Sequence, residues 1–152
     1  MQSVKEREQG CESYFPGEIY KNMKMGADAI INLLPHVKDD PLRSLMTQQL
    51  DGYEKYAARA ARVLEAQGEK PREENILTRV TARVGMAFST LIDSTTGHLA
   101  ELMIEGSNMG ITEMTKLLNA NGARESAEQS ARLAKEIIAF EQHNIEMMKH
   151  FL

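Results

Sequence analysis

The chain has 152 residues, enough for one domain with its own core and short of what two would need. Its 18 lysines and arginines against 22 aspartates and glutamates leave a net charge of −4, without the basic excess of a nucleic-acid module. An apolar content of 42% excludes a disordered chain, and a single cysteine, Cys11, excludes an intrachain disulfide or a tetracysteine zinc site. Aromatic residues are few and tryptophan is absent, while methionine occurs ten times. A core of Leu, Ile, Ala and Met is the composition of a helical bundle.

Residues 1–16 read as a polar N-terminal lead-in ending in Phe15-Pro16-Gly17, and residues 17–152 as a single helical-bundle domain. The lead-in has no apolar run, so no secretory signal is expected there. The least polar stretch, Val84 to Ala100, carries Asp93 and His98 and falls short of a membrane span. A cytoplasmic protein with no nucleic-acid or membrane partner is the expectation.

From Glu18, the apolar residues Ile19, Met23, Ala27, Ile30 and Leu34 recur at steps of three and four, which predicts a helix ended by Pro35. Asp39-Asp40-Pro41 supplies an N-cap and a proline in the first turn of a second helix, which runs to about Gln67. Its inner face is Leu42, Leu45, Gln49, Tyr53, Tyr56, Ala60, Val63 and Leu64, and Gly68 fits a left-handed stop.

A third helical pattern opens at Pro71 and continues through Ile76, Leu77, Val80, Val84, Ala87 and Leu91 to Leu118. As one rod it would reach about 70 Å, too long for a bundle whose second helix spans about 40 Å. An interruption or kink is therefore expected, first at Glu105-Gly106-Ser107-Asn108-Met109-Gly110 and second at Ser94-Thr95-Thr96-Gly97. After Asn121-Gly122 a last helix turns Leu133, Ile137, Phe140, Ile145 and Met148 inward. No segment alternates like a strand, so the fold expected is an all-α, up-and-down bundle with short links between antiparallel helices.

Polar groups on core-facing stripes are the natural place to look for function. Asp28 lies between Met25 and Ile31 in the first helix, and Glu54 keeps company with Leu50, Ala57, Ala58 and Ala61 in the second. His98 and Glu101 are three apart in the third, and Glu141 sits between Ile138 and Ile145 in the last. Carboxylates that converge in a core need compensation, because leaving water costs several kcal/mol and like charges raise one another's pKa. A divalent cation supplies it. The alternative is that each acid reaches water from the edge of its stripe or meets an arginine, of which Arg43, Arg59, Arg62, Arg79 and Arg83 lie on predicted helices. Ser89, Ser94 and Ser107 lack a nucleophile-elbow setting, and no glycine-rich phosphate loop occurs, so no catalytic residue is assigned.

The stretches Asn22-Met23-Lys24-Met25-Gly26-Ala27-Asp28, Gln49-Leu50-Asp51-Gly52-Tyr53-Glu54, His98-Leu99-Ala100-Glu101 and Phe140-Glu141-Gln142-His143-Asn144 resemble the ferritin-like superfamily, most closely its short bacterial four-helix bundles. The resemblance covers Glu18 to Leu152. It implies a di-iron or di-manganese pair, with Asp28 and Glu101 matching the lone carboxylates and Glu54 and Glu141 the glutamates of two Glu-x-x-His units. Ala57 and Asn144 stand where the histidines of those units belong, and His98 precedes its glutamate instead of following it. Two expectations follow. One is a metal-binding bundle with ligands Asp28, Glu54, His98, Glu101 and Glu141; the other is a bundle with no cofactor that acts by self-association, such as a homodimer, or by docking a partner protein.

Overall fold

A computed structural model of the protein describes residues 4–71 and 93–152, with side chains from residue 13 onward. Four helices account for nearly all of them, and no strand occurs among the described residues: α1 (Val4–Leu33), α2 (Asp40–Ala66), α3 (Thr96–Asn121) and α4 (Glu128–Met148). Short 3-10 turns follow α1 at Leu34–His36, precede α4 at Glu125–Ala127 and close the chain at Lys149–Phe151. Helix α1 packs along α2 and α3 along α4, while α1 also touches α3 and α2 touches α4. No helix among the described residues is long and apolar enough to cross a membrane.

Helix α1 begins well before the expected start, so residues 4–16 are helical rather than a lead-in, and the helix passes through Pro16. A proline inside a helix forfeits one backbone hydrogen bond and crowds the carbonyl four residues back. Tertiary packing outweighs that loss here. Phe15, 2% exposed, starts a buried stripe that continues through Ile19, Met23, Ala27, Ile30 and Leu33. Pro16-Gly17 hides this stripe from a reading based on helix breakers.

Helix α2 has the ends its sequence predicts. Asp39 Oδ2 accepts from the Leu42 N–H at 2.9 Å. At the other end Gly68 takes φ +77°. The Gly68 N–H then donates to the Glu65 carbonyl and the Glu69 N–H to the Leu64 carbonyl, both at 3.0 Å. These crossed bonds are the Schellman closure, which requires the left-handed residue that glycine adopts without strain. Of the expected inner face, Leu42, Gln49, Tyr53, Ala60, Val63 and Leu64 are buried, while Leu45 and Tyr56 are half-buried and Met46 and Ala57 join the core.

The predicted opening of the third helix, residues 72–92, lies outside the described residues. Helix α3 starts at Thr96, where Thr95 Oγ1 accepts from the His98 N–H at 3.4 Å and Asp93 Oδ1 accepts from the Thr95 N–H at 2.8 Å. A helix boundary therefore falls at the second of the two expected sites. The first is corrected: α3 runs unbroken through Glu105 to Gly110. Leu99, Met103, Ser107, Met114, Leu117 and Asn121 form one continuous buried face across it, and Gly110 leaves room there for the Glu141 side chain.

Candidate functional site

One layer of the core is polar. Five buried polar side chains meet there: Gln49 and Tyr53 from α2, Ser107 from α3, and Glu141 and Asn144 from α4. In α2 the two residues are four apart, in α4 three apart, so each helix presents its pair on one inward stripe. Glu141 is 1% exposed, and the Tyr53 hydroxyl donates to its Oε2 at 2.6 Å. The Gln49 Nε2 group donates to the Asn144 backbone carbonyl at 3.5 Å, a long bond.

Glycines shape this layer from two sides. A Cβ at Gly26 on α1 would stand 2.5 Å from the Tyr53 ring, and a Cβ at Gly110 on α3 would overlap Glu141 Oε1. Thus the phenol rests in a notch of α1 and the carboxyl group in a notch of α3. Gly52 makes similar room for Phe140, whose ring meets Tyr53 edge-on with centroids 5.1 Å apart. Gly110→Ala should destabilise the fold, although alanine favours a helix by about 1 kcal/mol over glycine. The added methyl must displace Glu141, and urea midpoints of variant and wild type check the sign.

Burial pushes the Glu141 carboxyl up to about 7, and its contacts with Tyr53, Ser107 and Asn144 pull in the opposite direction without cancelling that effect. Tyr53 is pushed well above the usual phenol range, first by burial and then by the Glu141 charge, so it keeps its proton and stays the donor. Asn144 Nδ2 lies close enough to favour the charged carboxylate, yet it makes no hydrogen bond with any described residue. Gln49 Oε1 is also buried without a partner among the described residues. On the flank of this layer Arg59 forks onto both oxygens of Glu136, linking α2 to α4 with Nη2–Oε1 at 3.2 Å.

The five sequence candidates have different surroundings. Glu141 alone is in the core. Glu54 and Glu101 are exposed, and Asp28 is half-buried on α1. His98, also half-buried, approaches Glu101 with Nδ1–Oε2 at 3.5 Å in the first turns of α3. The residue of α3 that faces Glu141 is Ser107, six positions beyond Glu101 and so about 9 Å further along the helix axis. In α2 the inward residue is Tyr53, and Glu54 is turned about 100° away from it.

Among the described residues no three His, Cys, Asp or Glu side chains gather closely enough to hold an ion. Of the ligand set implied by the sequence resemblance, Glu141 is in the core, Asp28 and His98 are half-buried, and Glu54 and Glu101 are exposed. The inward carboxyl group takes its hydrogen bond from a phenol, and its other oxygen is against the α3 backbone at Gly110.

Sequence reasoning passed over Tyr53, Gln49, Ser107 and Asn144 as site residues. The signal that finds them is an uncharged polar residue at a strictly inward position: Gln49 one turn before Tyr53, and Asn144 one turn after Glu141. Comparison of the chain with protein families, curated proteins and solved structures finds no match.

Proposed function

We propose that the chain is a ferritin-like bundle with antiparallel neighbours that holds no metal pair and acts by association, with a second copy of itself or with another protein. One observation carries the reading. The carboxyl group turned into the core, Glu141, is satisfied by a phenolic O–H, while Glu54 and Glu101 stand in water. In a carboxylate-bridged metal site the inward acids from several helices must meet at one level, and among the described residues only α4 contributes a fully buried one. The short links 34–39 and 122–127 support antiparallel pairing of α1 with α2 and of α3 with α4. Among the described residues, Tyr14, Ile31, Met147 and Leu152 are large apolar side chains left exposed.

Elemental analysis of protein purified without chelators, joined to light scattering, tests both halves of the reading. The expected result is no stoichiometric iron, manganese or zinc and a mass above that of one chain, alone or with a captured protein. Thermal melts with ferrous or manganese ion should shift wild type and Glu54→Ala equally, since ligand-linked stabilisation requires a site that the variant loses. Two metals per chain, lost together in Glu54→Ala, would overturn the proposal in favour of a di-metal protein.

A further inference from the structure

The polar layer contains two groups whose needs are complementary. Gln49 Oε1 is an acceptor and Asn144 Nδ2 a donor, and both are buried without a hydrogen-bond partner among the described residues. Gln49 and Asn144 are each 3% exposed, and the Gln49 Nε2 to Asn144 carbonyl bond places them side by side on α2 and α4. Leaving either atom unpaired costs about 1–3 kcal/mol, so a native core normally supplies a partner. An occupant that serves both must donate and accept. A metal ion or an ammonium group cannot accept from Asn144 Nδ2, and a simple anion cannot donate to Gln49 Oε1. The Asn144 amide also bears on Glu141, favouring the charged carboxylate as an N–H donor does.

We propose that this layer binds one internal water molecule between α2 and α4, which accepts from Asn144 Nδ2 and donates to Gln49 Oε1. Its second O–H remains for the Glu141 carboxyl group, giving the two to four polar partners typical of buried water. Tyr53 and the water then satisfy the carboxyl group from different sides, and the polar layer becomes a closed network instead of a set of orphaned atoms.

Water-selective nuclear Overhauser measurements on the full-length protein test this directly, with the side-chain amide protons of Gln49 and Asn144 as reporters. Both amides should show contact with a long-lived water, and a crystal structure should place its oxygen at hydrogen-bond distance from Gln49 Oε1 and Asn144 Nδ2. In Asn144→Leu the Gln49 amide should lose its water signal. Side-chain amides without water contact would overturn the proposal, as would an ion or a protein side chain at that position in the crystal structure. The wild-type measurement decides the question even if the leucine variant fails to fold.

Discussion

Tyr53→Ala should destabilise the protein by about 3–5 kcal/mol, the range for deleting a large buried aromatic side chain. The loss has three parts. A ring seated against Gly26 disappears, its edge-on contact with Phe140 goes with it, and Glu141 is left in the core without its phenolic donor. Tyr53→Phe isolates the last part, since it keeps the ring and removes only the hydroxyl, at about 1–3 kcal/mol. The Tyr53 hydrogen bond favours the charged carboxylate, so the phenylalanine variant should also titrate Glu141 at higher pH than wild type does. Urea unfolding at pH 6 and pH 8 reads both effects. A Tyr53→Phe protein as stable as wild type at both values would remove the hydroxyl from the account of the site.

The second large effect is on pH. Glu141 has its folded pKa raised to about 7, against about 4.3 for a glutamate in an unfolded chain. Between those values the unfolded chain gives up its proton while the folded one retains it. The unfolded state then binds fewer protons, so stability falls as pH rises through this window and levels off above it. For a shift of this size the fall is about 4 kcal/mol in total. Glu141→Gln keeps a carbonyl oxygen for the Tyr53 hydroxyl and cannot ionise. Its stability should be nearly flat in this window apart from other groups, lying closer to wild type near pH 5 and above it near pH 8. Melting temperatures of the two proteins across that range give the comparison. Parallel curves would mean that Glu141 does not titrate there.

Much of the architecture is legible in the chain itself. The Asp39-Asp40-Pro41 start and the Gly68 stop follow from local chemistry, a capping carboxylate and a residue free to take positive φ. Both ends of α2 can therefore be placed without knowing what surrounds it. Local breakers mislead where packing is stronger than propensity. Pro16-Gly17 and Gly106 to Gly110 both look like ends, yet Phe15 on one and Ser107 on the other continue a buried stripe across them. In α3 one of those glycines makes the room into which Glu141 packs.

The candidate site was legible in kind and only in part by residue. Helical spacing by itself determined that Glu141 lies on an inward face, because Ile137 and Ile138 precede it and Ile145 follows it at steps of three and four. The same spacing left Glu54 and Tyr53 as rival inward residues one position apart, and a turn of about 100° separates core from solvent. Only tertiary structure decided between them. Partner helices choose which edge of an apolar stripe is covered, and they set the level along the bundle at which each residue meets the others. Ser107 thus faces Glu141 while Glu101 remains outside. Periodicity records the direction of a side chain around its own helix. It carries no information about the axial offset between helices, and that offset determines whether inward polar groups form a metal site or a hydrogen-bonded acid.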